Sequence, residues 1–389
     1  MAKLGEVCTI VSGSTPKTSV TSYWDGNIKW ITPAELNEDT FYIMDSVRHI
    51  TEEGKEKTGL SYLPTGTVIL SSRAPIGKTA IAGCKMCCNQ GFKNLICSDA
   101  IYNEYLYFFL KSKTDYLNSL GRGATFKEIS KSIVENIEIP LPEVNQQKEI
   151  AEKFKKLEQL ISLRKQQLAK LDELVKARFV EMFGDSVANT KNFPSTTLET
   201  VMTVFPQNGL YKPQTDYVQD DTGIPILRID AFYNGKVTNW NTLKRLICSE
   251  TEIDRYLLKE NDIVINRVNS IEYLGKCAHI VGLKEKTVFE SNMMRFHMDE
   301  KKVNAVYVTE VLCTEDIYRQ ILRRAKKSVN QASINQEDVK SLEILVPPLS
   351  LQNQFAAFVE RVDQQKQTVQ QSLEKLELMK KALMQEYFG

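Results

Sequence analysis

Residues 142–184 recur 205 positions later, as residues 347–389, and this repeat constrains the fold more than any other feature of the chain. In the first copy the apolar residues follow a 4-3-4-3 spacing, which keeps one face of a helix apolar and is typical of a coiled-coil seam. Several residues are identical in the two copies at this offset. They are Pro142, Gln147, Leu168, Leu171, Ala177, Phe183 and Gly184 in the first copy, and Pro347, Gln352, Leu373, Leu376, Ala382, Phe388 and Gly389 in the second. Two unrelated amphipathic helices would share the apolar phase but not these identities, so the chain is a duplication.

The repeat divides the chain into two globules, each followed by a long helix. The predicted limits are 1–141 for the first globule, 142–184 for the central helix, 185–346 for the second globule and 347–389 for the C-terminal helix. We expect the two helices to form a seam of large apolar side chains. These are Ile150, Phe154, Leu157, Leu168 and Leu171 in the first helix, and Phe355, Val359, Val362, Leu373 and Leu376 in the second.

The composition is that of an ordinary soluble protein with two or more domains. The chain has 389 residues, of which 42% are hydrophobic and 25% are charged, and it is long enough to bury sizeable cores. No run of about 18 uninterrupted apolar residues exists, and the N-terminus lacks the charged-then-apolar layout of a signal peptide. The sequence therefore predicts a cytosolic protein without a membrane segment. The formal net charge of +1 neither favours nor excludes nucleic acid, because local clusters make a phosphate footprint.

The cysteines do not predict a metal site. Cys84, Cys87 and Cys88 lie close together, but a zinc site would need a second pair of ligands. The corresponding loop of the second copy, residues 281–290, contains no cysteine. All eight cysteines are irregularly spaced in a long chain, which favours reduced thiols over a disulfide framework.

The two globules repeat the same order of segments. Residues 4–11 are strand-like, residues 66–73 read as a buried strand after a turn, and residues 121–130 are small and basic. Residues 261–267 repeat the buried strand, and residues 328–335 repeat most of the small segment at the offset of 205. The scaffold is therefore repeated while the loop residues differ, as expected of two halves that do one job on two different ligands.

Tight basic loops favour a nucleic-acid ligand. Gly77, Lys78 and Thr79 hint at a phosphate loop, but Ser72 stands where the Walker pattern needs glycine. Lysine and arginine on such a loop suit a DNA phosphate or base edge better. The sequence shows no activated nucleophile, paired carboxylates or cofactor loop that occurs in both halves. Any chemistry is therefore expected to belong to a partner.

Several short motifs occur in a fixed order. In the first half they are Leu4-Gly5-Glu6-Val7, Tyr23-Trp24-Asp25-Gly26 with Trp30, Gly77-Lys78-Thr79-Ala80 and Asn89-Gln90-Gly91-Phe92. The pattern Pro-x-x-x-x-Gln-x-x-[Ile/Phe] occurs at residues 142–150 and again at 347–355. In this order, and duplicated, the motifs resemble the specificity (S) subunits of type I restriction-modification systems over the whole chain. The second half departs from the pattern, since Asn292-Met293 replaces Gly91-Phe92 and no Tyr-Trp pair precedes Ile224.

The resemblance implies an α+β fold with two tandem α/β target-recognition domains, residues 1–141 and 185–346, each followed by a long helix. The two helices would pack as an antiparallel coiled coil with pseudo-twofold symmetry and would act as a spacer. A helix from Ile150 to Met182 rises roughly 50 Å at about 1.5 Å per residue. That length is enough to hold two half-sites on one face of the DNA about a turn or more apart.

The resemblance also implies partners. Each recognition domain would read one half of a bipartite site on double-stranded DNA through the major groove. Two methyltransferase (M) subunits would bind along the helices and methylate an adenine in each half-site with S-adenosylmethionine. Motor-nuclease (R) subunits, using ATP and Mg, would cleave unmethylated foreign DNA. This chain itself would be non-catalytic and cytoplasmic, with no cofactor and no metal.

The candidate DNA contacts are basic and small polar residues of the loops. In the first domain they are Lys29, Arg73, Lys78, Lys93, Arg122, Thr125 and Lys127, and in the second domain they are Arg228, Arg267, Lys276, Arg295, Ser328, Asn330 and Gln331. Arg73, Arg267 and Asn330 are the better candidates for reading bases, because their side chains can grip guanine or adenine through two hydrogen bonds. The lysines are better suited to positioning phosphates.

Two other interpretations fit the same sequence. One is the recognition subunit of a related bipartite-site (type IIB-like) system, in which one partner fuses cleavage and methylation. Only the sequence of that partner would separate it from a type I system. The other is a coiled-coil scaffold with two protein-binding globules, which predicts no salt-dependent affinity for DNA.

Overall fold

A computed structural model describes residues 1–37, 39–73, 75–122, 127–220 and 222–389. Its contacts divide the chain into two compact units. The first unit contains residues 1–167 and 369–389, and the second contains residues 168–368. This division cuts both long helices, whereas the repeat places the limits at the ends of the helices. The domain limits drawn from the repeat therefore stay a prediction.

The first unit is built from short strands and helices followed by one long helix. Its strands are β1 (Ala2–Lys3), β2 (Cys8–Ser12), β3 (Trp24–Ile31), β4 (Tyr42–Ile43), β5 (Arg48–Ile50), β6 (Val68–Ser71), β7 (Thr79–Ala82), β8 (Cys87–Cys88), β9 (Phe92–Cys97) and β10 (Glu138–Ile139). Its helices are α1 (Leu4–Val7), α2 (Glu52–Thr58), α3 (Asn103–Ser112), α4 (Thr114–Leu120), α5 (Lys131–Glu135) and α6 (Val144–Phe183), which continues into the second unit.

The second unit repeats this plan with additional strands. Its strands are β11 (Ser195–Thr197), β12 (Met202–Asn208), β13 (Tyr217–Val218), β14 (Ile224–Leu227), β15 (Phe232–Tyr233), β16 (Gly235–Val237), β17 (Lys244–Leu246), β18 (Asp262–Asn266), β19 (Val268–Asn269), β20 (Cys277–His279), β21 (Val288–Phe289), β22 (Met293–Met298), β23 (Lys326–Lys327), β24 (Ala332–Ser333) and β25 (Glu343–Leu345). Its helices are α7 (Glu250–Tyr256), α8 (Ala305–Leu312), α9 (Glu315–Arg324), α10 (Gln336–Lys340) and α11 (Leu349–Phe388), which continues into the first unit.

The sheet order shows that the two units share one topology. In the first unit the central strands run β2-β9-β6-β7, and in the second they run β12-β22-β18-β20. Each unit also has a smaller mixed sheet, β5-β3-β8 or β17-β14-β21, and a closing pair, β1-β10 or β11-β25. In each closing pair, one strand (β1 or β11) opens the globule and the other (β10 or β25) comes just before the long helix in the sequence. The fold is therefore α+β with two sheet-containing domains and two long helices, as the sequence predicts.

The first turn of the chain differs from the prediction. The sequence predicts a strand over residues 4–11, but Leu4–Val7 form a short helix and the strand begins at Cys8. The Lys3 backbone N–H donates to the Glu6 carboxylate at 2.9 Å, a capping interaction that favours a helical turn over an extended chain. Leu4 N–H also donates to the Ile137 carbonyl at 2.9 Å. The strand prediction for residues 4–7 was therefore wrong.

In the first unit, α6 and α11 pack antiparallel. Lys153 Nζ lies 3.1 Å from the Tyr387 hydroxyl, and Lys380 Nζ donates to the Glu158 carboxylate at 2.7 Å. A later residue of α6 thus meets an earlier residue of α11. The ring of Phe154 is fully buried between these helices and the globule.

In the second unit the other ends of α6 and α11 also pack antiparallel. Arg178 lies over the ring of Phe358 at 5.8 Å, and Phe183 contacts Phe355 with ring centroids 5.5 Å apart. Most of the predicted seam residues are buried in their own units: Ile150, Phe154, Leu157, Leu171, Phe355, Val359, Val362 and Leu373. Leu168 and Leu376 are only half-buried. The long helices fit a coiled coil.

The repeated glutamine attaches each globule to its long helix. Gln147 is fully buried, and its Nε2 donates to the carbonyls of Pro142 (2.8 Å) and Ala100 (3.0 Å). Its Oε1 accepts from Tyr102 N–H at 2.8 Å. Gln352 makes two of these three contacts in the second unit: its Nε2 donates to the Pro347 carbonyl at 2.7 Å, and its Oε1 accepts from Asn304 N–H at 2.9 Å. The Pro-x-x-x-x-Gln pattern therefore has a structural reason, because the side-chain amide satisfies main-chain groups where the globule ends.

Replacing Gln147 with leucine is expected to lower the free energy of unfolding of the first unit by about 2–3 kcal/mol, because buried main-chain groups would lose their partners. Urea denaturation of the full chain would measure the loss. Gln146→Leu is the matched control, since Gln146 is exposed on the same turn of α6 and should change stability by less than about 0.5 kcal/mol. Equal effects of the two variants would contradict this role of Gln147.

Candidate nucleic-acid interface

Three segments of the first unit converge beyond the end of β6. Ser72 N–H donates to the Gly91 carbonyl at 2.7 Å, which brings the turn before β9 to the end of β6. Ile129 N–H donates to the Ser72 carbonyl at 2.9 Å, which adds the segment that precedes α5. Candidate residues of the first domain lie on or beside all three segments, so the fold brings distant parts of the sequence to one place.

An ion-paired cluster lies at this convergence. The Glu128 carboxylate accepts from Arg73 Nε at 2.9 Å and from Lys93 Nζ at 3.2 Å. The main chains of Arg122 and Glu128 exchange two hydrogen bonds of 3.0 Å. The side chain of Arg122 is exposed, and so is that of Lys127, which directly precedes Glu128. Four predicted residues are thus brought together around one carboxylate that the sequence reasoning missed.

Lys29 and Lys93 are placed differently from the exposed residues of this cluster. Thr125 lies outside the described residues. Lys29 Nζ donates to the Met44 carbonyl at 2.6 Å, on the smaller sheet. Lys93 belongs to the cluster but is only 7% exposed, a placement that favours support of the site over direct contact.

Lys78 and Lys276 occupy equivalent places in the two units. Lys78 Nζ donates to the carbonyls of Pro33 (3.3 Å) and Leu36 (2.7 Å), and Lys276 Nζ donates to the carbonyl of Ile229 at 2.7 Å. Burial lowers the pKa of Lys276. Both amines therefore tie the loop after the buried strand to the segment that follows β3 in the first unit and β14 in the second. This placement supports a structural role for the repeated Gly-Lys pair.

The second unit brings the equivalent segments together. Arg267 N–H donates to the Asn292 carbonyl at 2.8 Å, and Ile334 N–H donates to the Arg267 carbonyl at 2.9 Å. These bonds match those of Ser72 in the first unit. The Arg267 guanidinium donates to the Ser291 carbonyl at 3.2 Å, so Arg267 lies across the turn before β22.

A basic β-hairpin projects at this site in the second unit. Strands β23 and β24 pair through Lys327 and Ala332, and β24 also pairs with β19, directly after Arg267. The tip is held by Ser328, whose N–H donates to the Gln331 carbonyl at 2.8 Å. Predicted residues Ser328, Asn330 and Gln331 are all exposed there. Sequence reasoning omitted Val329, whose side chain is 98% exposed, because an apolar residue carries no charge signal.

Arg228 lies at the edge of the same site. Its Nη1 donates to the Tyr217 hydroxyl at 3.0 Å and lies 3.6 Å from the Glu290 carboxylate. Glu290 in turn accepts from Ile229 N–H at 2.7 Å. Burial raises the pKa of Glu290, although this hydrogen bond and the charge of Arg228 act in the opposite direction. The pair stands where Thr32 and Asn89 stand in the first unit.

A cleft of about 830 Å³ opens beside Arg228 and Asn292. Tyr217, Trp240 and Lys244 also line it. Lys244 is exposed. It was not among the predicted DNA contacts, because nothing in the sequence around it, which follows Asn-Thr-Leu, distinguishes it from an ordinary surface lysine. The cleft adds aromatic and basic surface to the site of the second unit.

Arg295 differs from the other candidates of the second domain. Its side chain lies inside the central sheet and is only 8% exposed. One terminal nitrogen donates to Gln207 Oε1 at 2.8 Å, and the other lies 3.4 Å from the Asp262 carboxylate. A direct contact with DNA is not supported by this placement, which instead makes Arg295 part of the core.

The described residues contain no group of three or more histidine, cysteine, aspartate or glutamate residues arranged to hold a metal ion. Within the same ranges, no helix has both the length and the apolar character that a membrane span requires.

The comparisons with known proteins agree with one another. Residues 1–173 and 193–378 match the family described as the type I restriction modification DNA specificity domain. The MjaIX specificity subunit of Methanocaldococcus jannaschii is 28% identical over 386 residues, which cover 92% of this chain and 85% of that protein. The EcoKI specificity subunit of Escherichia coli is 26% identical over 312 residues, covering 75% and 65%.

Solved structures share the fold. The S subunit of a type I restriction-modification system from M. genitalium superposes with a TM-score of 0.60 at 14% identity, covering all of this chain and 95% of that one. A chain from a structural study of complex assembly and conformational transition in the type I R-M system superposes with a TM-score of 0.56 at 17% identity, covering 100% and 96%. With the family match over most of its length, this chain belongs to the DNA specificity subunits of type I restriction-modification systems, which recognise DNA sequence and are not enzymes by themselves.

Proposed function

We propose that each recognition domain of this chain reads one half of a bipartite DNA site. One observation carries the proposal. Both units bring the same three segments together through matching main-chain hydrogen bonds, at Ser72 in the first unit and at Arg267 in the second. The side chains presented there differ completely, with Arg73 and Glu128 in one unit and an exposed Ser-Val-Asn-Gln hairpin tip in the other. A shared frame with different polar side chains suits two recognition events of the same kind on different base sequences.

The two long helices would set the distance between the half-sites and carry the partner subunits. Each helix spans 40 residues, which corresponds to roughly 60 Å at about 1.5 Å per residue. Two methyltransferase subunits would bind along them and methylate one adenine in each half-site. These subunits would supply S-adenosylmethionine, and motor-nuclease subunits would supply the ATP- and Mg-dependent restriction of unmethylated DNA. No cofactor is assigned to this chain.

A genome-wide map of N6-methyladenine tests the proposal. Cells that carry this chain with its neighbouring methyltransferase should show a split motif with a fixed gap, and cells that lack this chain should not. Exchange of residues 185–346 for the second recognition domain of a relative should change one half of the motif alone. Changes in both halves, or a motif that persists without this chain, would contradict the proposal.

The hairpin of the second unit gives a sharper prediction. Removing the side chains of Asn330 and Gln331 together should relax one or two adjacent positions in a single half-site, because an amide that grips adenine through two hydrogen bonds contributes about 1–3 kcal/mol of discrimination. The methylation map measures this as tolerance of other bases. Lys301→Ala, an exposed residue of the same unit outside the site, is the control and should leave the motif unchanged. Loss of methylation without relaxed sequence preference would argue against base reading by the hairpin.

A further inference from the structure

We propose that Arg73 reads a guanine in the half-site of the first recognition domain, and that Glu128 is the positioning residue that presents it. This inference rests on the proposed function and adds a base identity and a second residue to it. Four observations carry it: the unused end of the Arg73 guanidinium, the immobilised carboxylate of Glu128, the charge balance of the cluster, and its replacement in the second unit.

The Arg73 guanidinium uses one of its three nitrogens within the described part of the chain. Nε donates to Glu128 at 2.9 Å, whereas neither terminal nitrogen bonds a described residue. The side chain is 43% exposed. Its two terminal nitrogens form a planar fork, which matches the O6 and N7 acceptors of guanine in the major groove. The end of Arg73 that can read guanine therefore has no hydrogen-bond partner among the described residues, and the side chain is partly exposed.

Glu128 is held from several sides, so it can hold Arg73 in turn. Its second oxygen accepts from Lys93 at 3.2 Å, and the Lys93 side chain is buried beneath it. Its main chain pairs with both Arg73 and Arg122. Burial raises the pKa of Glu128, but the hydrogen bonds from Arg73 and Lys93 outweigh it, and the pKa stays below its usual range. The carboxylate is therefore ionised and fixed at neutral pH.

The charge of the cluster separates a reading role from a phosphate role. A carboxylate next to a phosphate-binding arginine would weaken the contact by repulsion. In contrast, a carboxylate bound to Nε orients the guanidinium and lowers the entropy lost when the fork meets a base. The cluster keeps a net positive charge, since Arg73 and Lys93 surround one carboxylate. Exposed Arg122 and Lys127 remain beside it for phosphates.

The second unit lacks this device at the equivalent place. The main-chain bridge between Arg73 and Glu128 corresponds to the pairing of Val268 with Ser333. Neither of those residues can form the ion pair or the fork. The inference therefore predicts that Arg73 reads a guanine in the first half-site alone. The base preference of the second half-site should not change in variants of Arg73 or Glu128, so it serves as an internal control.

The test uses the complex of the full chain with its methyltransferase and maps N6-methyladenine for each variant. Exchange of residues 185–346 identifies which half belongs to the first domain, and that half should contain a G·C pair. In Arg73→Ala, discrimination at this pair should fall by about 5- to 150-fold, while the other half stays unchanged. Arg73→Lys should not restore it, because lysine lacks the fork. Glu128→Ala should relax the same pair by a smaller factor, and Glu128→Gln, which keeps an acceptor for Nε, should relax it less still.

Arg122→Ala is the comparison for a phosphate contact and should weaken methylation of all sites without changing the motif. The inference is overturned if the first half contains no G·C pair, if Arg73→Ala leaves its preference intact, or if Glu128→Ala lowers activity without relaxing that pair. In each of these cases a split motif still appears with the unaltered chain, so the proposed function stands. Absence of any split motif with the unaltered chain would instead overturn the proposed function.

Discussion

Replacing Asp262 with alanine is expected to lower the free energy of unfolding of the second unit by about 3–5 kcal/mol. Asp262 is fully buried in the central sheet. Its carboxylate lies 3.4 Å from Arg295 Nη1 and 2.9 Å from His297 Nδ1, and it accepts from Lys259 N–H at 2.8 Å. Without it, the Arg295 guanidinium would remain buried without a counter-charge, and its Nε already lacks a partner among the described residues.

Calorimetry of the full chain would measure the loss, and hydrogen exchange in peptides covering β18 and β22 would assign it to the second unit. Glu181→Ala is the control, since Glu181 forms an exposed ion pair with Arg178 in the same unit and should cost less than about 1 kcal/mol. The double variant Asp262→Asn with Arg295→Met should recover most of the stability, because it removes both charges. If Asp262→Ala were no less stable than Glu181→Ala, Arg295 would have to bind water or another partner in place of Asp262.

The repeat made much of the fold predictable from the sequence. Identical residues at one offset predicted two equivalent units and two helices, and the structure explains several of them by repeated contacts. Gln147 and Gln352 both bind the carbonyl of the repeated proline, and Phe388 and Phe183 each contact a buried tyrosine of a globule, Tyr105 or Tyr307. Repetition preserves residues whose partners are main chain or core. Leu4–Val7 were mispredicted because an apolar-rich stretch of four residues does not distinguish a strand from a helical turn.

The candidate site was harder to predict, because charge alone does not show what a cation faces. Lys78 and Lys276 donate to main-chain carbonyls of their own units, and Arg295 pairs with a buried aspartate. In the sequence these residues look the same as Arg122 or Lys127, which are exposed. Glu128 was missed for the converse reason: an acidic residue in a basic segment reads as a break in the pattern, although it organises the cluster.

Replacing Phe154 with alanine is expected to lower the free energy of unfolding of the first unit by about 3–5 kcal/mol. The Phe154 ring is fully buried and stacks on Phe108 and Phe388, with centroid distances of 5.1 Å and 5.6 Å. It therefore joins α6, α11 and the globule of that unit at one point. Phe355→Ala should have an effect of similar size in the second unit, where Phe355 contacts Phe179 and Phe183 at 5.5 Å.

The effect of Phe154→Ala on methylation distinguishes a helix pair that acts as a spacer from two recognition domains that act independently. If the helix pair holds both half-sites at a fixed distance, as proposed, Phe154→Ala should reduce methylation of both adenines in the split motif, although it alters one unit. Single-molecule sequencing of methylated DNA measures the two adenines separately. Gln159→Ala, an exposed residue of α6, should leave both unchanged. Selective loss of the first adenine would contradict the spacer, because each domain would then act without the other.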